Sequence, residues 1–404
     1  MPGTFTTKFL AYLLAAGFLL AGQLAGQVLL YFPALALITA ASWKPWDEPR
    51  FLRQLLVGLP LVLVCLVLAP DLSTDHHRYL WEGYVQGQGF SPYQHAPLSL
   101  FDRLNHPSEG QINHPDLAAI YPPLAQYLFQ LSTFLGTSVY AWKGMILLCL
   151  AGLWCFASER DGTGWWLLTP PLLLEGLWNG HLDAVGIIPA AVMISAIERK
   201  RAASAGVALG AMISIKLLPL LLLPAALLAL PKTQRLRFLA ALSVTLVLVY
   251  LPYLSQLPEL FHSFRTFAGN WSFNNPLFHL LCEVAPVDWV RPLMAGCLLL
   301  TSALILLPQR SVRWRCTATW LALSAFSPTL YPWYLLWLLP FASVGKRGWA
   351  SLIYSISFLS YLVLVKFRAE GVWQEAWWWM APEWLLLFFC SYRLLAQPAQ
   401  EASE

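Results

Sequence analysis

The sequence predicts an all-α, polytopic membrane protein whose helices form a single integral membrane domain over residues 1–404. Three observations predict this class. Hydrophobic residues make up 58% of the chain and charged residues only 11%, against about 25% charged in a typical soluble domain. Continuous apolar runs recur along the whole length, and they correspond to about 11 to 13 membrane helices of ~20 residues or fewer. The 20 tryptophans and 15 tyrosines suit the two membrane interfaces.

The apolar runs follow one another with short polar segments between them. The first, Phe9–Ala41, is long enough for one tilted helix or for two shorter helices around Pro33, and we expect a retained membrane anchor rather than a cleaved signal peptide. Phe51–Pro70 is the next span. Several later spans are shorter than ~20 residues, which is tolerated where a broken helix lines a protein cavity. These later spans are Pro122–Leu135, Tyr140–Ala157, Trp165–Trp178, Ala184–Ile197, Ala203–Leu230, Phe238–Leu254, Pro292–Leu307, Thr317–Phe326, Trp333–Phe341, Ala350–Val365 and Pro382–Leu395.

Basic clusters separate the loops of one face from those of the other. By the positive-inside rule these clusters lie in the cytoplasm. The longer loops, including the first large one at 71–121, then face outward, and Ala203–Leu230 must turn back near Lys216. The direction of the chain between 122 and 161 stays open. The clusters are Lys44–Arg53, Arg199–Arg201, Lys232–Arg237, Arg310–Arg315 and Lys346–Arg347.

The outward loop begins with the polar stretch DLSTDHHRYLWEGYVQGQGFSPY at 71–93. Asp75, Arg78, Tyr79 and Glu82 are spaced i, i+3, i+4 and i+7, so a helix ended by Gly83 would place all four on one face. Two carboxylates around a guanidinium suit a base that accepts a hydroxyl proton beside a bound anionic group. The alternative interpretation is a solvated ion network on a loop helix.

Polar residues also interrupt two later apolar segments. Asn179, His181 and Asp183 lie in LWNGHLDAVG, and Lys216 is alone in a long apolar run. Ionisable groups at membrane depth indicate function, and an ammonium there needs an anion or water. The alternatives are an ordinary polar turn for the first three and snorkelling to the surface for Lys216.

Two further segments combine prolines with aromatic or imidazole rings. NHPDLAAIYPPLAQ carries His114, and its prolines restrict the backbone to rigid turns. SPTLYPWYLLW carries Tyr331, Trp333 and Tyr334 at the predicted outer end of a span. Such aromatic rings stack on sugars, although they also line the membrane interface.

The sequence gives no sign of a metal or nucleotide site. Five of the eight histidines lie in loop 71–121, but no pair has a firm ligand spacing, so we expect no metal cofactor. The patterns GxxxxGK and GxGxxG are absent from the sequence, which argues against direct use of a nucleotide. We expect contact with membrane lipids and no nucleic-acid partner, and the sequence indicates no particular protein partner. The five histidines are His76, His77, His95, His106 and His114.

Taken together, these motifs resemble the bacterial membrane glycosyltransferases of the GT-C fold. They are most similar to the polyprenyl-phosphate-mannose-dependent mannosyltransferases. The motifs in chain order are D…RYLWEG…SPY, NHP…IYPPLAQ, NGHLDA, K..PLLLLP and SPTLYPWYLLW, over residues 71–340. The resemblance implies inverting transfer of a hexose, mannose in the closest case, from a polyprenyl phosphate to a lipid-linked or glycan acceptor. It places the active site on the periplasmic face of the bacterial inner membrane.

The resemblance also suggests roles for individual residues. It implies that Asp75 is the general base and that Glu82 is a second catalytic carboxylate, followed by Gly83 where the family often has Asp-Gly. Tyr331 stands where family members often carry a histidine. The residues expected at the donor phosphate are Arg78, Lys216 and Tyr331. Those expected to contact the substrates are Tyr79, His114, Asn179, His181, Asp183, Trp333 and Tyr334.

The mechanism requires no cofactor beyond the lipid-linked donor. A polyprenyl phosphate is already a good leaving group, so one base suffices, whereas inverting hydrolysis uses two carboxylates. A lipid-linked glycan flippase or secondary transporter is the main alternative, with Lys216 and the NGHLD segment lining a path. Transporters often contain inverted repeats, and we find no such symmetry in the sequence. A ligase or phosphotransferase on lipid-linked sugars is a third possibility.

Overall fold

A computed structural model describes residues 2–43, 51–156, 166 and 168–396. The chain is mainly helical in these residues, as the sequence predicts, and forms no β-strand in them; Phe273 and Thr329 form an isolated bridge. Most of the basic segment Lys44–Arg53 lies outside the described residues, as do residues 159–161 at the end of the stretch whose direction stays open. The α-helices in chain order are α1 (Pro2–Ala25), α2 (Tyr31–Ser42), α3 (Phe51–Val67), α4 (Asp75–Gly87), α5 (Pro123–Thr133), α6 (Val139–Phe156), α7 (Asp183–Glu198), α8 (Ala202–Ile215), α9 (Leu223–Ala229), α10 (Lys232–Tyr250), α11 (Leu257–Asn270), α12 (Pro276–Val284), α13 (Val287–Leu306), α14 (Val312–Phe326), α15 (Leu338–Phe341), α16 (Arg347–Ser357), α17 (Val363–Glu370) and α18 (Trp377–Leu395).

Four helical segments of the described chain are long and apolar enough to cross a membrane. Shorter apolar helices include those at Val139–Gly152 and Ala202–Ile215. The protein is therefore helical and has several helices suited to spanning a membrane, while the larger number of 11 to 13 spans stays a prediction. The four segments are Phe5–Ala25, Lys232–Asn270, Val287–Leu306 and Arg347–Glu370.

The helices group into two compact units. The first unit comprises Met1–Leu68, Trp154–Trp178 and Ser272–Glu404, and the second comprises Ala69–Leu153 and Asn179–Trp271. The stretch predicted as the first outward loop, 71–121, therefore belongs to the second unit together with α4–α11, apart from the end of α6.

In the first unit, α1, α2 and α3 pack together, and α16 packs against α18. A π-helical segment, Pro171–Trp178, is buried along its whole length and packs on α3. Its Glu175 carboxyl accepts hydrogen bonds from the hydroxyls of Tyr354 at 2.7 Å and Tyr361 at 3.0 Å. These bonds provide the partners that a buried carboxyl group needs.

The N-terminal apolar run forms two helices, and the break between them differs from the predicted one. Helix α1 ends at Ala25, and Gly26 has a φ of 63°, in the left-handed region that favours glycine. Pro33 lies instead in the first turn of α2, where a missing backbone N–H has no helical partner to lose. The break therefore falls at Gly26 and not around Pro33.

The second unit contains the helix predicted from the stretch 71–93. Helix α4 runs from Asp75 to Gly87, so Gly83 lies inside the helix and does not end it as predicted. A Cβ atom at Gly83 would lie 2.6 Å from the carbonyl carbon of Phe129. The glycine is used here for close approach of α4 to the α5 backbone and not for a helix stop.

The other side of the second unit is built on α8, which packs against both α7 and α10. Helix α8 ends at Ile215, and Lys216 has an extended backbone, at the position where the sequence predicts a turn. The interrupted helix places the Lys216 side chain at a helix C-terminus, which favours a positive charge.

Candidate functional site

Asp75 is the first residue of α4. Its backbone N–H donates to the Ser73 hydroxyl at 3.2 Å, which gives a partner to one of the N–H groups that the first helical turn leaves free. The side chain keeps 21% of its surface exposed, and burial of the rest raises the pKa of the carboxyl above its ordinary value of 3.8. A partly exposed carboxyl with a raised pKa is suited to accept a proton from a bound hydroxyl.

One oxygen of the Asp75 carboxyl is held by an amide. The Asn113 side chain donates to Asp75 Oδ1 at 3.0 Å, and this hydrogen bond and the Lys216 ammonium oppose the rise in the pKa of Asp75. The other oxygen, Oδ2, lies 4.0 Å from Nδ1 of the fully buried His181. This distance exceeds that of a hydrogen bond, so Asn113 holds Oδ1 while His181 leaves Oδ2 without a hydrogen bond of its own.

Arg78 lies one turn after Asp75, and its guanidinium binds the polypeptide around residue 114. Nη1 donates to the carbonyls of Asn113 at 3.2 Å and His114 at 3.0 Å, and Nη2 donates to the carbonyl of Leu117. Nε donates to Glu82 Oε1 at 2.9 Å. At least four of the five N–H donors that an arginine carries are thereby used, which gives Arg78 an anchoring role.

Glu82 completes this buried network. Its Oε2 accepts from the Gln126 amide at 2.6 Å on α5, and its side chain is only 2% exposed. Burial raises the pKa of the Glu82 carboxyl, while the Arg78 charge and the Gln126 amide oppose the rise. Both carboxyl oxygens have protein partners, so the geometry supports a structural role for Glu82, and its predicted catalytic role stays a prediction.

Lys216 and Asp183 form an ion pair in the second unit. The Lys216 ammonium lies 2.7 Å from Asp183 Oδ1, with side-chain exposures of 17% and 5%. Asp183 is the first residue of α7 and Lys216 caps the end of α8, so each charge has the sign that its helix end favours. The positive charge of the ammonium opposes the rise in the pKa of Asp75, and the negative charge of Asp183 adds to it.

Asn179 and His181 lie in the segment between the π-helix and α7, and both are buried. Asn179 Oδ1 accepts hydrogen bonds from the backbone N–H groups of Asp71 at 3.0 Å and Leu72 at 2.9 Å. It therefore holds the segment that leads into α4. The His181 side chain is fully buried next to the Asp75 carboxyl.

Tyr79 and His114 occupy different surroundings. Tyr79 is buried and stacks on Phe129, with ring centroids 4.8 Å apart, so it contributes to the packing of α4 on α5. His114 is more exposed, and its ring meets Trp271 edge-on at 4.4 Å. Burial lowers the pKa of His114, and the Asp116 carboxylate opposes that change.

The aromatic residues of SPTLYPWYLLW lie in the first unit. The Tyr331 ring is stacked on Trp333 at 4.3 Å and on Phe273 at 4.7 Å, while Tyr334 meets the Tyr331 ring edge-on at 5.8 Å. The three stacked rings form a local aromatic cluster. The predicted contact of Tyr331 with a donor phosphate stays a prediction, as do the substrate contacts of Trp333 and Tyr334.

The histidines beside Asp75 form a partly buried pair. The rings of His76 and His77 lie 4.0 Å apart, and His77 Nδ1 lies 3.3 Å from the Ser108 hydroxyl. Burial and the neighbouring His77 lower the pKa of His76 to about 3. Among the described residues, no three or more His, Cys, Asp or Glu side chains form a group that could hold a metal ion.

The sequence predicts most of the candidate site residues but does not predict the two amides, Asn113 and Gln126. Asp75, His181, Asp183 and Lys216, which come from separate motifs, lie in the second unit, whereas Tyr331 lies in the first. Their shared role at one site stays a prediction. The roles of Asn113 and Gln126 were not predicted, because contacts between residues 38 and 44 positions apart leave no periodic signal. The motif NHP indicates this position only indirectly, because Asn113 directly precedes the predicted site residue His114.

Comparison with known proteins adds no family assignment to this geometry. The chain matches no protein-family model and no curated protein.

Proposed function

We propose that the protein is a membrane glycosyltransferase with its catalytic centre in the second unit. It transfers a hexose, mannose in this proposal, from a polyprenyl phosphate to a lipid-linked or glycan acceptor at the outer face of a bacterial inner membrane. The observation that carries the proposal is the Asp75 carboxyl, with one oxygen held by Asn113 and the other open. We include in this site the Lys216–Asp183 ion pair of the same unit.

In this proposal, Asp75 Oδ2 accepts the proton of the acceptor hydroxyl. The acceptor oxygen attacks the anomeric carbon of the donor sugar from the face opposite the phosphate, and the bond between that carbon and the phosphate oxygen breaks. The products are the inverted glycoside, a protonated Asp75 and a polyprenyl phosphate that keeps the electron pair of the broken bond. The raised pKa of Asp75 suits this proton transfer.

Lys216 is the residue that we assign to the departing phosphate. A fixed positive charge placed where negative charge develops lowers the barrier for bond cleavage. Binding of the donor phosphate exchanges the contact of the ammonium with Asp183 for a contact with the phosphate. Arg78 is less suited to this role, because its guanidinium already donates to Glu82 and to three backbone carbonyls.

The substitution Asp75→Asn tests the proposal. We expect the variant to lose about 10²–10⁴-fold in transfer rate, the usual contribution of a positioned general base, with unchanged membrane insertion. The assay measures the mass and amount of mannosylated product formed from labelled polyprenyl-phosphate-mannose in membranes. Asp102→Asn is the matched control, because Asp102 is an exposed aspartate of the same segment.

The same preparation separates transfer from transport. Right-side-out and inverted vesicles receive the labelled donor, and both the glycosidic product and the side on which the label appears are measured. A new glycosidic bond that depends on Asp75 supports the transferase. Movement of the label across the membrane without a new bond supports the flippase or transporter instead, and full transfer activity in Asp75→Asn excludes Asp75 as the base.

A further inference from the structure

We propose that Asn113 is a positioning residue that holds the carboxyl of Asp75 so that Oδ2 faces the acceptor hydroxyl, and that Arg78 and Glu82 hold Asn113 in place. This proposal rests on the proposed function and extends it. In this inference the buried Arg78–Glu82 ion pair of α4 orients the base and does not bind the donor.

The first step is the contact between Asn113 and Asp75. An aspartate side chain can rotate about its terminal bond, and a single donor on one oxygen restricts that rotation. The Asn113 amide donates to Oδ1 at 3.0 Å, so Oδ2 becomes the unique oxygen for the acceptor proton. A base must lie within hydrogen-bond reach of the proton that it removes, and small misplacements cost large factors in rate.

The second step is the support of Asn113 itself. Asn113 is held through its own carbonyl, which accepts from Arg78 Nη1 at 3.2 Å, and through the carbonyl of the next residue, His114, at 3.0 Å. His114 has a φ of 47°, a left-handed conformation that is uncommon for a residue with a side chain. Arg78 is itself oriented by Glu82 at 2.9 Å. The sequence of contacts therefore runs from Glu82 through Arg78 to Asn113 and Asp75.

The third step concerns the charges that face Asp75 from each neighbouring element. Arg78 lies on α4, His181 lies in the segment before α7, Asp183 begins α7, and Lys216 lies at the end of α8. Substitution of Asn113 changes none of these four side chains. Because the Asn113 hydrogen bond stabilises the charged form of Asp75, its removal raises the pKa of that carboxyl.

The experiment measures the titration of Asp75 without requiring catalysis. A hydrophobic carbodiimide modifies a carboxyl group only in its protonated form, and mass spectrometry of the peptide that contains Asp75 gives the modified fraction at each pH. We expect the midpoint to move to higher pH in Asn113→Ala. It should also move to higher pH in Asn113→Asp, which has nearly the same shape and places a second carboxyl beside the first. Gln111→Ala is the matched control, since Gln111 is an exposed amide two residues earlier.

Transfer kinetics provide the second measurement on the same full-length proteins. With polyprenyl-phosphate-mannose as donor, Asn113→Ala should lose on the order of 10²-fold in kcat, with little change in the KM for the donor. The acid limb of the pH profile of kcat should also move to higher pH in this variant. Folding is checked by thermal melting, and the nearly isosteric Asn113→Asp supplies the test if the alanine variant does not fold.

The outcomes distinguish this inference from the proposed function. An unchanged midpoint together with an unchanged kcat in either folded variant overturns the role of Asn113. If the wild-type protein still transfers the sugar, the proposed glycosyltransferase function is unaffected by that result. A shifted midpoint in a protein that makes no glycosidic bond supports the coupling of Asn113 to Asp75 and overturns the glycosyltransferase.

Discussion

The close approach of α4 and α5 at Gly83 leads to a prediction with a definite sign. In an exposed helix, replacing glycine by alanine stabilises the protein by about 1 kcal/mol, because alanine is the better helix former. At Gly83 the new Cβ would lie 2.6 Å from the carbonyl carbon of Phe129 and 3.2 Å from the backbone nitrogen of Gln130. Carbon atoms in contact lie at about 3.5–4.0 Å, so the α5 backbone must move by about 1 Å.

The size of the effect follows from these opposing contributions. Overpacking of a well-filled interior costs about 1–3 kcal/mol, and the gain in helix propensity offsets about 1 kcal/mol of that. We therefore expect Gly83→Ala to lower the free energy of unfolding by up to about 2 kcal/mol. The displacement also disturbs Gln126 and Glu82, which are bonded at the same helix contact, so transfer activity should fall as well.

Thermal melting of the purified protein in detergent measures this change. Gly87→Ala is the matched control, because Gly87 ends the same helix and a Cβ atom there would meet nothing within 4 Å. We expect the control to melt at or above the wild-type temperature and Gly83→Ala to melt several degrees below it. A Gly83→Ala protein that melts above the wild-type temperature would refute the close packing of α4 on α5.

Two further predictions concern the chemistry of the site. The transfer rate should fall as the pH is lowered through the pKa of Asp75, because only the charged carboxyl accepts a proton. Burial places that pKa above 3.8, and a rate that stays constant through the titration of Asp75 measured by carbodiimide labelling would contradict its role as base. Lys216→Met should lose on the order of 10²-fold in kcat/KM for the donor, as expected for removal of a group that stabilises developing charge. Lys216→Arg keeps the charge and should retain more activity, and equal rates in the methionine and arginine variants would exclude the phosphate role.

The secondary structure around the site was largely predictable from the sequence, because its signals are local. Apolar composition predicts membrane helices, and the spacing of Asp75, Arg78, Tyr79 and Glu82 predicts a helix there. Gly83 was misread as a helix end, since a glycine in the sequence does not reveal whether it serves backbone conformation or close packing. The partner at Gly83, the α5 backbone, is more than 40 residues away in the chain.

The roles within the site were less predictable, because they depend on contacts distant in sequence. The sequence indicates Lys216 and Asp183 separately, each as a polar residue in apolar surroundings. In the structure the Lys216 ammonium lies 2.7 Å from Asp183 Oδ1. The sequence favours His114 over its neighbour Asn113 as a site residue, since an imidazole can act as an acid or a base and an amide cannot. The amide is nevertheless the group that touches the carboxyl of Asp75.

The exposure of α4 explains why residues on one predicted face of the helix have different roles. Asp75 begins the helix, and its side chain is 21% exposed, whereas the side chains of Arg78 and Glu82 are only 6% and 2% exposed. Periodicity assigns residues to a face, but it does not say how deeply each part of that face is covered. The later turns of α4 pack on α5, and a charged group there needs a full set of protein partners. The Arg78–Glu82 pair has these partners and supports the loop, while the open position at the helix start leaves Asp75 as the carboxyl that a substrate can reach.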